Sequence, residues 1–159
     1  MSSNLRFRNI DATPDTPVET WPFEGILTAL ERGSLPDWAR LTHAIDADPW
    51  GHVARQVEEA LNMELPYGVA ELFQEIVTSA RASAGNSERY AVAQEIRTLL
   101  DQSGLSRSTF AERIGTSSSR LSTYLSGKVV PSAALMVRMR RVATTSRQKF
   151  ARRTAAPTS

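Results

Sequence analysis

The sequence contains no cysteine and only two histidines, His43 and His52. The first absence excludes disulfides and thiolate metal sites, and two imidazoles are too few for a zinc site built on histidine. The absence of cysteine agrees with a reducing compartment. Glycine and proline are sparse, with 8 of each in 159 residues, so the chain suits one ordinary globular domain or two small ones. No stretch approaches the roughly 18 consecutive apolar residues of a membrane span, and the opening MSSNLRFRNIDATPDTPVET lacks the apolar core of a signal peptide. The expectation is a soluble cytoplasmic protein with no membrane partner. The apolar/polar alternation of a half-buried strand is missing as well. No acid/base pair, activated nucleophile or phosphate loop stands out, so the chain reads as a non-enzyme without cofactor or metal. His43 and His52 then read as ordinary histidines, and Trp38 and Trp50 as core aromatics.

What is present is helical spacing, and the fold class read from it is all-α. Residues 1–20 are rich in Thr, Pro, Asp and Ser and predict a flexible tail. Ile26, Leu27 and Leu30 then form a stripe that stops at Gly33, and Ser34-Leu-Pro-Asp37 has the pattern of a capping box with proline in the first turn. Trp38, Leu41, Thr42 and Ile45 make the next face. Asp48-Pro49 repeats the start signal ahead of Val53, Val57, Ala60 and Leu61, and a longer helix is predicted from Tyr67 to Ala84. Gly85-Asn-Ser87 predicts a break, after which Val92, Ile96, Leu99 and Leu100 resume the helical period. The expected organisation is a tail over 1–20, an acidic helical domain over 21–84, a second domain over 85–145 and a basic flexible tail over 146–159.

The net charge of +2 conceals an asymmetry. Residues 1–80 hold 5 Arg against 13 acids, whereas residues 81–159 hold 14 Lys and Arg against 4 acids. A basic half points to an acidic polymer as partner, and an acidic half to a different surface with a different task.

The basic half contains AERIGTSSSRLSTYLSG, where three consecutive serines interrupt the helical pattern. Serine favours caps and turns, so the run marks a helix boundary. A helix-turn-helix unit of about 20 residues beginning at Arg107 accounts for it. Ala111 supplies the small side chain that the close helix approach needs, and Gly115 the left-handed turn residue. Phe110, Ile114, Leu121, Tyr124 and Leu125 clamp the two helices, Thr116 turns its methyl inward, and Ser117 caps the second helix.

Around this unit, Gly104-Leu-Ser106 enters the first helix, Ser126-Gly-Lys128 follows the second, and Pro131-Ser132 opens the next. With the Ala111 and Gly115 pair, these residues make 88–143 resemble the Cro and phage-repressor-like (XRE) family of DNA-binding domains. The resemblance implies a lambda-repressor-like five-helix domain with a recognition helix from Ser117 to Ser126 in the major groove. It implies base contacts from Ser118, Ser119, Arg120 and Thr123, and phosphate contacts from Arg107, Ser117 and Lys128. Arg138, Arg140 and Arg141 stand either on a solvated face or against DNA, and Arg152 and Arg153 either add phosphate attraction or idle.

The function expected is sequence-specific binding of double-stranded DNA by a homodimeric transcriptional repressor or regulator. Pairing two modules on adjacent half-sites raises selectivity beyond what one recognition helix reads. The alternative is an antitoxin-type protein whose acidic N-terminal helices bind and neutralise a partner protein while the helix-turn-helix represses its own operon.

Overall fold

The computed structural model describes residues 5–155. Among these residues the backbone forms seven α-helices and one 3-10 turn at Val18–Thr20, with no strand. The helices are α1 (Phe23–Arg32), α2 (Leu35–Ala47), α3 (His52–Ala60), α4 (Val69–Ser103), α5 (Arg107–Ile114), α6 (Ser118–Leu125) and α7 (Ala133–Thr154). The all-α expectation holds. The chain divides into two compact units that meet in sequence at Gly85 and Asn86.

In the first unit, Ile26, Ala29 and Leu30 of α1 are buried with Leu41 and Ile45 of α2, Val53 and Val57 of α3, and Phe73 and Val77 of α4. Ser34 and Asp37 form the capping box at the start of α2. The Asp37 carboxylate, 1% exposed, accepts from both the amide and the hydroxyl of Ser34 at 2.9 Å. Trp38 donates its indole N–H to the Ala29 carbonyl at 2.9 Å and meets Phe73 edge-on, so it is a core aromatic. Trp50 is not. It is 50% exposed, with the Arg81 guanidinium 5.9 Å from its ring centre. The same guanidinium binds the Pro49 carbonyl and both carboxylate oxygens of Glu58, which raises the Arg81 pKa through hydrogen bonding and charge.

Composition predicts a flexible tail over residues 1–20, of which 1–4 lie outside the described residues; among the others several side chains pack against the first unit. Leu5 and Val18 are buried with Trp21, and Phe7 meets Trp21 edge-on at 5.0 Å. Arg40 donates to the carbonyls of Pro14 at 2.7 Å and Thr16 at 2.8 Å, with its guanidinium 4.9 Å from the Trp21 ring centre. A few apolar anchors and one guanidinium fork order a segment whose average composition is polar.

The break expected at Gly85-Asn-Ser87 is absent, because α4 runs unbroken through it. A helical glycine costs about 1 kcal/mol relative to alanine. On one side of it Phe73, Val77 and Ala80 are buried, and on the other Ala93, Ile96 and Leu100. Each large apolar side chain contributes roughly 1.5–3 kcal/mol on burial, so packing on both flanks outweighs the local preference.

The second unit comprises residues 86–103 of α4 together with α5, α6 and α7. That is four helical segments where the resemblance implies five. Ile96, Leu100, Phe110, Ala111, Ile114, Leu121, Tyr124, Leu125, Leu135, Met136 and Met139 form its core. The 146–159 segment, expected as a flexible tail, continues α7 as far as Thr154, and its last four residues lie outside the described ones. No glycine or proline interrupts α7, and Arg113 anchors the start of this stretch by donating to the hydroxyl of buried Ser146 at 3.3 Å.

Candidate nucleic-acid interface

The geometry begins at the cap of α5. Ser106 accepts from the Thr109 amide at 3.2 Å and starts the helix. Gly115 ends it at φ 81° and ψ 36°. The Thr116 amide reaches back to the Ala111 carbonyl at 2.9 Å and the Gly115 amide to that of Glu112 at 3.1 Å. This pair of bonds is a Schellman closure, which satisfies carbonyls that the helix end leaves free. Arg138 of α7 donates to the Ile114 carbonyl at 3.4 Å and adds a third partner. Ala111 is fully buried.

Ser117 caps α6 by accepting from the Arg120 amide at 3.1 Å. Its own hydroxyl proton stays available to an acceptor. Leu121, Tyr124 and Leu125 are buried, while Ser118, Ser119, Arg120 and Ser122 are exposed and Thr123 is half-buried. The turn is left-handed at Gly115, and Phe110, Ala111, Ile114, Leu121 and Tyr124 are buried.

The side chains expected at DNA differ in how free they are. Ser118 and Ser119 carry exposed hydroxyls with no hydrogen-bond partner among the described residues. Thr123 donates its hydroxyl proton to the Arg120 carbonyl at 2.7 Å, which leaves its oxygen with acceptor capacity only. Arg120 donates through Nε to the Tyr124 hydroxyl oxygen at 3.0 Å. Its two terminal nitrogens have no partner among the described residues. Arg107 lines a cleft of about 400 Å³ with Ser122 and Leu125 of α6, with Ser126 just beyond it, and with Arg97, whose guanidinium binds the Leu125 carbonyl at 2.8 Å. The fold thus brings Arg107 beside α6. Lys128 is exposed in the loop that follows.

Residues 86–159 hold 13 Lys and Arg against 4 acids. Among the described residues of this unit only Arg140 forms an ion pair, with Glu95 at 2.8 Å; that hydrogen bond and charge raise its pKa. Of Arg138, Arg140 and Arg141 in α7, the first is engaged at the turn, the second is paired, and the third is exposed with no partner among the described residues. The positive surface is largely uncompensated, which favours a polyanion.

Residues 91–152 match the family model of a helix-turn-helix domain. No curated protein and no solved structure matches the chain. The matched segment begins within α4, spans α5 and α6 and takes in nearly all of α7. Within the matched segment, α5 and α6 are the two helices joined through the Gly115 turn. Among the described residues of the whole chain, no helix is long and apolar enough to cross a membrane.

Two contributors were missed in the sequence. The Arg138 cap on Ile114 joins positions 24 residues apart and left no local signal. The Arg120 to Tyr124 bond did leave one, since an i, i+4 spacing puts the two side chains on neighbouring parts of one helix face.

Proposed function

We propose that the helix-turn-helix domain reads double-stranded DNA in a sequence-specific manner, with α6 in the major groove, and that the protein is a homodimeric transcriptional regulator acting as a repressor. The observation that carries this reading is the state of α6: a capped, well-packed helix presents the unpartnered hydroxyls of Ser118 and Ser119 on an otherwise cationic unit. Serines at these positions contribute nothing to the core, and hydroxyls reach base edges as donors or acceptors. In this reading Ser118, Ser119 and Thr123 meet bases, while Arg107, Ser117 and Lys128 meet phosphates. The resemblance to the Cro and phage-repressor-like family supports the same arrangement. Hydroxyls discriminate bases weakly, so DNA shape carries part of the selectivity.

A second reading concerns the first unit. Its exposed Met63, Tyr67 and Leu72 lie in a chain segment rich in glutamate, including Glu58, Glu59, Glu64, Glu71 and Glu75. Apolar side chains among acids suit a basic protein partner, as in an antitoxin that also represses its operon.

Selection of bound sites from random duplex DNA by the full-length protein tests the main reading. Enrichment of a two-fold symmetric sequence is the expected result, and recovery of unenriched DNA would contradict sequence-specific binding.

A further inference from the structure

The arrangement of α6 carries a reassignment of Arg120. At about 100° per residue, the buried side of α6 is set by Leu121, Tyr124 and Leu125, and the opposite side by Ser119, Ser122 and Thr123. Arg120 lies between them, about 40° around the helix from Tyr124, about 60° from Thr123 and about 100° from Ser119. Its Nε is already committed to the Tyr124 hydroxyl at 3.0 Å, and the Tyr124 ring is fixed in the core.

We propose that Tyr124 holds Arg120 as a phosphate clamp on the flank of the recognition helix, so that Arg120 does not read guanine. The reasoning is geometric. A guanidinium held through Nε to a buried hydroxyl keeps its Nη1 and Nη2 fork on the flank, away from the side that carries Ser119 and Thr123. A helix lying in the major groove turns that side toward the base edges and its flanks toward the sugar-phosphate walls. The two free nitrogens match the two oxygens of a phosphate, the bidentate geometry in which arginine binds most strongly. Tyr124 is then a positioning residue: its ring packs the core, and its hydroxyl removes rotational freedom that Arg120 would otherwise lose on binding.

The proposal rests on the DNA-binding reading, and one experiment separates the two. The full-length protein and its Arg120→Ala, Tyr124→Phe, Arg120→Lys and Arg120→Ala/Tyr124→Phe variants are titrated onto the duplex enriched by selection, onto its single base-pair variants and onto random duplex, at several salt concentrations. Arg120→Ala is expected to weaken every duplex by one common factor, on the order of tenfold, and to lower the slope of log Kd against log salt by about one. Tyr124→Phe is expected to weaken every duplex by a smaller common factor with the slope unchanged, and to have no effect once Arg120 is alanine. Arg120→Lys keeps the slope because it keeps the charge.

A change in base preference at one position in Arg120→Ala would overturn the clamp and leave DNA binding standing. An equal effect of Tyr124→Phe with and without Arg120 would overturn the positioning role. Failure of the unaltered protein to bind any duplex would overturn the DNA-binding reading and the clamp together.

Discussion

The Thr116 amide and the Ala111 carbonyl meet at 2.9 Å across Gly115, and this bond forms only because Gly115 sits at φ 81°. A Cβ there would meet nothing nearer than an Arg138 nitrogen at 3.5 Å, so space is not the constraint. Backbone conformation is. Gly115→Val is expected to cost about 1–3 kcal/mol of stability, since a β-branched residue is strained in the left-handed region. Thermal melting checks this, and an unchanged midpoint would contradict the role given to the turn.

Gly85 presents the opposite case. It lies inside α4, where a Cβ would meet no heavy atom within 4 Å beyond its chain neighbours and the helix's own backbone. Gly85→Ala is expected to stabilise the protein by about 0.5–1 kcal/mol, because alanine restricts the unfolded chain and suits a helix interior. Destabilisation measured by urea titration would mean that the chain breaks here, as the local sequence alone suggests.

These two glycines show which parts of the fold were legible. The turn at Gly115, the cap at Ser117, the capping box at Ser34 and Asp37, and the stop at Gly33 are local, and a residue type at a fixed offset specifies each of them. Helix continuity through Gly85 depends on Phe73 and Val77 packing on one flank and Ile96 and Leu100 on the other, and no local window contains both. The order of residues 5–20 depends on Arg40, whose bond to the Pro14 carbonyl spans 26 positions. The face of α6 followed from helical period, whereas the direction of the Arg120 side chain required sight of the Tyr124 hydroxyl. Trp50 was misjudged because tryptophan is usually buried, while here one side of its ring lies against Arg81 and half its surface stays open.

Ser117 allows the cap to be separated from contact with DNA. Its oxygen accepts from the Arg120 amide at 3.1 Å, a role that aspartate fills equally well. Ser117→Ala is expected to lose about 0.5–2 kcal/mol of stability. Ser117→Asp is expected to keep the melting temperature and yet bind all duplexes more weakly, because it sets a negative charge where a phosphate is to approach. Unimpaired binding by Ser117→Asp would remove Ser117 from the phosphate contacts.

The central claim, that the cationic helix-turn-helix domain grips duplex DNA and distinguishes sequences, is tested most directly by the salt dependence of Kd. The full-length protein and Lys128→Ala are compared on the selected duplex and on random duplex. Affinity is expected to fall steeply with salt on both duplexes, because each phosphate contact releases counterions, and Lys128→Ala is expected to reduce both slopes by about one. The selected duplex is expected to bind at least about a thousandfold more tightly than random DNA at physiological salt. A flat salt dependence, or equal affinity for the two duplexes, would contradict the account.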